Sequence, residues 1–140
     1  MTERGEIRNR AYAQQLRNFS GMNWGKITPT DIDGYVEFGD KVFVFFETKF
    51  GSAKMPRGQE LALERLVDAV GATRHALLVV ATHNTPPTED LQFHDCVVAK
   101  YRHCGRWHTP TNGITLREIV DRFRAVAAKQ PTPKRDEATA

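Results

Sequence analysis

Residues 31–49, DIDGYVEFGDKVFVFFETK, decide the fold of this 140-residue chain. Residues 33–38 and 41–46 are rich in β-branched and aromatic side chains, and Gly39-Asp40 stands between them as a turn pair. The stretch therefore predicts a β-hairpin whose first strand is entered through acidic residues and whose second strand leads into Glu-Thr-Lys.

The predicted hairpin brings acidic and basic side chains together at one edge of a sheet. Because side chains alternate along a strand, Glu47 and Lys49 share a face and lie about 7 Å apart. The turn folds the start of the first strand, and with it Asp33, back beside Glu47. Three charges next to an apolar strand are costly to bury unless something compensates them, and a divalent metal ion would do so.

The residue types at this edge predict which ion would bind. Two carboxylates with a backbone carbonyl, here that of Thr48, are hard oxygen ligands that suit Mg²⁺ or Mn²⁺ and are poor for zinc. Asp33 leads straight into the strand and is the preferred ligand, while Asp31 on the same face is a second candidate. Lys49 can hold a water molecule or a phosphate oxygen beside the ion.

Three helices are predicted outside the hairpin. The first is expected over residues 3–19, where apolar residues recur at helical spacing. The second is expected from about Arg57 to Val70, with Pro56 setting its entry. The third follows a capping box formed by Thr115 and Glu118.

Two more strands complete the predicted sheet. Residues 75–82, HALLVVAT, are a nearly continuous apolar run, which suits a strand covered on both faces. A helix separates this run from the hairpin, so it is expected to lie parallel to the strand that carries Glu47. Residues 93–101 predict a further strand with Cys96 at its centre, and residues 102–113 are expected to be irregular. The fold class is therefore α/β, with a mixed central sheet flanked by helices.

Composition describes an ordinary globular chain. Hydrophobic residues make up 40% and charged residues 26%, and the order of elements predicts one domain over residues 1–129 with a disordered tail over 130–140. The formal charge of +3 permits a polyanionic partner. No apolar run approaches the roughly 20 residues that span a bilayer, and no signal-peptide core is present. With two cysteines, the expected location is therefore the cytoplasm, bacterial, phage or host.

The residues TDIDG…FFETK, followed by a loop and a helix that begins GQ, resemble the PD-(D/E)XK nuclease superfamily. Small Holliday-junction-resolvase-like or VRR-type nucleases are the members to which the chain is similar. That family has a restriction-endonuclease-like fold with an αβββαβ core, and the predicted elements follow a similar order over about residues 3–128. One departure is that Pro29 stands two residues before Asp31 rather than next to the acidic motif.

The resemblance implies a Mg²⁺-dependent nuclease that hydrolyses phosphodiester bonds in DNA, with RNA left open. Asp33 and Glu47 would bind the ion, Lys49 would position or activate water, and Gln59 would be the glutamine that several branches carry on the following helix. A chain this small is expected to need a dimer or a partner protein for specificity. The alternative is a non-catalytic module of the same fold that binds nucleic acid or protein.

Basic and aromatic side chains are expected to contact the nucleic acid. Aromatic residues interleaved with cations can stack on bases and steer a polyanion. The candidates are Lys26, Lys54, Arg57, Arg102, Arg106 and Trp107. An ordinary loop with one aromatic anchor is an equally supported interpretation of residues 102–107.

A zinc site is a second metal hypothesis. Its candidate ligands are His94, Cys96, His103, Cys104 and His108. The absence of a CxxC pair, and the expected position of Cys96 in mid-strand, count against it.

Overall fold

The computed structural model describes residues 4–16 and 18–133. The chain divides into two compact units, Met1–Asp31 and Ile32–Ala140. The expectation of one domain over residues 1–129 therefore stays a prediction. Of the tail predicted to be disordered, residues 134–140 lie outside the described part of the chain.

The first unit contains little regular structure. Its helix α1 covers only Arg10–Ala13, and Trp24 and Ile27 form an isolated β-bridge. The helix predicted over residues 3–19 is therefore wrong for most of the described residues in that range. Asn9 caps α1 by accepting a hydrogen bond from Tyr12 N, and the apolar side chains flanking α1 are exposed. A helix that buries no apolar face lacks the packing that stabilises most short helices in proteins.

The second unit is an α/β fold built on a mixed five-stranded sheet. The strands are β1 (Gly34–Phe38), β2 (Val42–Phe50), β3 (His75–His83), β4 (Val97–His103) and β5 (Arg106–His108), and the helices are α2 (Arg57–Gly71) and α3 (Leu116–Ala127). The strands lie in the order β1-β2-β3-β4-β5. β2 and β3 are parallel, whereas the other neighbours are antiparallel.

The predicted hairpin is confirmed as β1 and β2. Gly39 and Asp40 both take left-handed backbone angles, with φ of 59° and 60°, and Lys41 N donates a hydrogen bond to Phe38 O over 3.1 Å. Glycine adopts this conformation freely and aspartate tolerates it, which explains the turn. β2 extends further than expected, to Phe50, so that Glu47 lies within the strand.

The parallel crossover from β2 through α2 to β3 is also confirmed, and it creates two apolar layers. On one face of the sheet, α2 packs through Leu63 and Val67 against Phe45 and Leu78. On the other face, α3 covers a larger layer, which includes Val44, Phe46, Val79, Leu116, Ile119 and Val120. β3 therefore contributes side chains to both layers, as its continuous apolar sequence predicts.

The region after β3 differs from expectation in two ways. Cys96 is buried but lies outside the strand, because residues 93–95 form a 3₁₀ turn and β4 begins only at Val97. Residues 102–113 are not irregular throughout, since β4 continues to His103 and β5 follows after the turn Cys104-Gly105. Both turn residues have positive φ, 51° and 74°, which glycine at the second position favours.

The last helix begins as predicted. Thr115 Oγ1 accepts a hydrogen bond from Glu118 N over 3.3 Å, and Glu118 Oε1 accepts one from Thr115 N over 3.3 Å. The capping box is therefore confirmed. Within residues 4–16 and 18–133, no helix is both long and apolar enough to cross a bilayer.

Candidate functional site

Three polar side chains meet where β2 passes beneath the first turn of α2. Lys49 Nζ lies 2.9 Å from Glu47 Oε1 and 3.2 Å from Gln59 Oε1. Gln59 Nε2 donates a hydrogen bond to Glu47 Oε1 over 3.1 Å. The carboxylate, the ammonium and the amide therefore form a closed triangle, which we call the Glu47 cluster.

Glu47 itself is deeply buried. It is 3% exposed, and it is the one charged residue that is buried in the described part of the chain. A buried carboxylate is costly unless it is paired and hydrogen-bonded. Lys49, whose side chain is 20% exposed, and Gln59 supply that compensation from one strand and one helix. Lys49 thus contacts both the buried Glu47 carboxylate and the solvent.

Asp33 reaches β2 one residue beyond Glu47. Its Oδ2 accepts hydrogen bonds from Thr48 N over 2.7 Å and from Thr48 Oγ1 over 3.0 Å. The register of β1 and β2 ends at the pair Gly34 and Phe46, and Asp33 and Glu47 stand next in that register. The sheet therefore carries both carboxylates to the same end of β2.

The first turn of α2 is attached to the sheet at two strands. Gln59 contacts β2 through the Glu47 cluster, and Glu60 Oε2 accepts a hydrogen bond from Lys100 Nζ of β4 over 2.8 Å. The hydrogen bond from Lys100 holds the pKa of Glu60 below its usual range, although partial burial opposes this. Lys100 is not among the site residues that the sequence predicts.

Further along α2, two more acidic residues hold the basic and aromatic residues of β4 and β5. Trp107 Nε1 donates to Glu64 Oε1 over 2.7 Å, a bond that lowers the pKa of Glu64. Arg102 donates to both oxygens of Asp68, over 2.9 and 2.7 Å, which raises the pKa of Arg102. We call these contacts, with Glu60–Lys100, the α2 brace. One sequence signal for it was available, because Glu60, Glu64 and Asp68 recur every four residues on one helix face.

Two of the residues predicted to contact nucleic acid, Arg102 and Trp107, belong to the α2 brace. Arg102 is 14% exposed along its side chain and Trp107 is partly buried, and both bind α2. Arg57 is exposed but pairs with Glu60 over 2.7 Å. Lys54 and Arg106 are exposed. Lys26 and Asp31 belong to the first unit, so their relation to this site stays a prediction.

The donor chemistry of the site fits a hard divalent cation. Asp33 and Glu47 offer carboxylate oxygens and Thr48 offers its carbonyl, which is the ligand type that Mg²⁺ prefers. Over residues 4–16 and 18–133, no group of three or more His, Cys, Asp or Glu side chains could hold a metal ion. A site of two carboxylates and one carbonyl would not form such a group.

The two cysteines proposed for zinc lie in different surroundings, Cys104 on an exposed turn and Cys96 in the apolar core. Cys104 Sγ lies 3.4 Å from His103 Nε2 on the β4–β5 turn. Cys96 is buried, and its burial raises the pKa of the thiol. Zinc binds the thiolate form, so a thiol that retains its proton is a weaker ligand.

No family model, curated protein or solved structure matches this chain. The resemblance to PD-(D/E)XK nucleases therefore stays a prediction from the sequence.

Proposed function

We propose that this chain is a Mg²⁺-dependent nuclease that hydrolyses phosphodiester bonds in DNA. The observation that carries the proposal is the Glu47 cluster, with Asp33 hydrogen-bonded to β2 at the adjacent residue. Carboxylates can hold a metal ion, a lysine beside them can stabilise charge that develops in the transition state, and Gln59 matches the glutamine that the family resemblance implies.

The proposal includes a restriction-endonuclease-like arrangement of the second unit. Its support is the succession β1-β2-α2-β3, with an antiparallel hairpin followed by a parallel crossover. One departure is that two strands of this sheet precede α2, whereas the family's αβββαβ core has three.

Asp33, Glu47 and the carbonyl of Thr48 would hold the ion. When bound there, Mg²⁺ supplies a Lewis acid for the scissile phosphate and lowers the pKa of a bound water. Glu47 is held for this role by the ion pair with Lys49 and a hydrogen bond from Gln59, so its Oε1 does not have to be ordered when the substrate arrives.

Lys49 has a separate task in the proposed reaction. Its ammonium is partly exposed and is anchored to Glu47 and to Gln59. From that position it would orient the attacking water and stabilise the negative charge that grows on the phosphate oxygens in the transition state. Gln59 fixes the spacing between the Glu47 carboxylate and the Lys49 ammonium, because its amide group is hydrogen-bonded to both.

Substrate binding would depend on general electrostatics more than on base contacts. The chain carries a formal charge of +3, and Lys54 and Arg106 are exposed cations of the second unit. Contacts of this kind bind phosphate without reading sequence. A dimer or partner protein would then supply specificity.

A non-catalytic binding module is the second candidate. It is favoured by the fact that Glu47 Oε1 already forms an ion pair with Lys49 and accepts a hydrogen bond from Gln59. Such a network can stabilise a fold as a satisfied polar cluster without an added ion.

A cleavage assay on a panel of linear, branched, mismatched and single-stranded DNA tests the proposal, with Mg²⁺, Mn²⁺ or EDTA. We expect cleavage that requires the cation and that Glu47→Ala abolishes. Glu37→Gln is the matched control, because this exposed glutamate lies in the same hairpin and bonds only to the turn, at Asp40 N. Equal cleavage by wild type and Glu47→Ala, or none by wild type on any substrate, would favour the binding module.

A further inference from the structure

Thr48, the middle residue of the Glu-Thr-Lys segment, makes two hydrogen bonds to one oxygen of Asp33. The backbone N lies 2.7 Å and the side-chain Oγ1 lies 3.0 Å from Asp33 Oδ2. Asp33 is exposed and lies just before β1, outside the strand itself. The two bonds from Thr48 are therefore what ties this carboxylate to β2.

The hydrogen bonds begin where the backbone pairing of the hairpin stops. The register of β1 and β2 ends at Gly34 and Phe46, two residues before Thr48 on β2. Beyond this point Thr48 N–H donates its hydrogen bond to the side chain of Asp33, instead of to a backbone carbonyl of a longer first strand. The Asp33 carboxylate therefore lies where the backbone pairing of β1 and β2 ends, and it is hydrogen-bonded to β2.

We propose that Thr48 is a positioning residue that orients Asp33 toward a divalent cation shared with Glu47. This inference rests on the proposed function. Thr48 is suited to the role because a β-branched residue has few side-chain conformations in a strand, so its hydroxyl has a fixed direction. With Oδ2 held by Thr48, the carboxylate loses most of its freedom to rotate, and its cost of ordering is met before an ion binds.

Two substitutions separate the hydroxyl from the shape of the side chain. Thr48→Val keeps the branched shape, the backbone N–H and all three proposed ligands, but it removes the Oγ1 donor. Thr48→Ser restores a hydroxyl without the branch. Groups that orient a metal ligand typically change metal affinity by about 10-fold or more when they are removed.

The measurement is Mn²⁺ binding by isothermal titration calorimetry on the full chain. We expect Thr48→Val to weaken binding about 10-fold and Thr48→Ser to bind close to wild type. Thr115→Val is the control, because it breaks the cap of α3 and lowers stability without contacting Asp33. If the role of Thr48 is purely structural, folded Thr48→Val and folded Thr115→Val should bind Mn²⁺ with the same affinity.

A double substitution tests whether Thr48 acts through Asp33. In an Asp33→Ala background, Thr48→Val should weaken Mn²⁺ binding no further, because the acceptor of its hydrogen bond is gone. An unchanged affinity in Thr48→Val while Asp33→Ala weakens binding would overturn the inference, as would a wild-type chain that binds no Mn²⁺. A clear effect on Mn²⁺ affinity without any DNA cleavage would support the positioning role and count against the nuclease.

Discussion

Gln59 contacts Glu47 and Lys49 with opposite ends of the same amide group, over 3.1 and 3.2 Å. An amide can donate to the carboxylate and accept from the ammonium, which neither a carboxylate nor an apolar side chain can do. The helix α2 is therefore joined to both charged side chains of β2 through one neutral residue.

Gln59→Glu should consequently lower the free energy of unfolding, by about 1–3 kcal/mol at neutral pH, since it replaces a donor to a buried carboxylate with a like charge. Urea unfolding measures the change. Gln92→Glu, at an exposed glutamine before the 3₁₀ turn, is the control and should be close to neutral. Equal stability of the two variants would show that the amide contact contributes nothing.

Lys49→Ala should separate cleavage from metal binding. The change leaves both proposed carboxylate ligands, so Mn²⁺ binding should persist, whereas the loss of the ammonium beside the buried Glu47 should lower the free energy of unfolding. Single-turnover cleavage should fall by about 100-fold or more, the scale of losing one donor to transition-state charge. Lys41→Ala, at an exposed lysine beside the turn of the same hairpin, should cut like wild type. Cleavage by Lys49→Ala at the wild-type rate would contradict the role given to this lysine.

The α2 brace predicts a loss of stability in acid. Lys100 and Trp107 hold the pKa values of Glu60 and Glu64 below the usual range. These carboxylates therefore stabilise the fold above the unfolded glutamate pKa of about 4.3, and their contribution is lost as pH falls through the folded pKa values. Urea unfolding from about pH 6 to about pH 3 should show this decline, and Glu60→Gln should flatten it. A slope identical in wild type and Glu60→Gln would refute the assignment.

Trp107→Phe tests whether this tryptophan serves the fold. The change removes the Nε1 donor, which lies 2.7 Å from Glu64 Oε1. Because hydrogen bonds to charged groups contribute about 1.5–3 kcal/mol, the free energy of unfolding should drop by roughly that amount. Thermal melting checks it. A variant with normal stability but weaker DNA binding would instead support the predicted stacking role.

Exposed cations should dominate any binding of nucleic acid. Fluorescence anisotropy with a labelled duplex should show affinity falling steeply from low to moderate salt. Combining Lys54→Ala with Arg106→Ala should reduce that salt slope by about two, because each phosphate contact contributes about one. Arg65→Ala, at an exposed position on the body of α2, serves as the comparison. A flat salt response would favour a protein partner.

The hairpin and the parallel crossover could be predicted because local sequence signals agreed with tertiary packing. Gly39-Asp40 fixed the turn, and the apolar run of β3 required cover on both faces. α1 failed because helical spacing alone does not supply a surface to pack against. β5 was missed because its three residues follow a Cys-Gly turn and are basic and aromatic, a composition equally typical of a loop.

The site was predictable only where its residues lie close together in the sequence. Glu47, Lys49 and Asp33 stand on one hairpin, so strand alternation places them together. The hydrogen bonds that Thr48 donates to Asp33 were not foreseeable, because they depend on where the backbone pairing of β1 and β2 ends. Lys100 meets Glu60 across 40 positions of sequence. Contacts of that range follow from the packing of α2 on β4, which no local pattern encodes.

Sequence separation also sets the order in which these groups can meet during folding. Thr48 and Asp33 are 15 positions apart and are joined by a tight turn, whereas Gln59 requires α2, and Lys100 must wait for β3 and β4. Short loops close faster than long ones, and parallel pairing is slow to form. We expect the two carboxylates to approach each other, with Lys49 beside Glu47 on the same strand, while Gln59 is still unplaced. Two carboxylates would then share one ammonium, so their remaining repulsion would oppose the early hairpin and divalent cations would accelerate its formation.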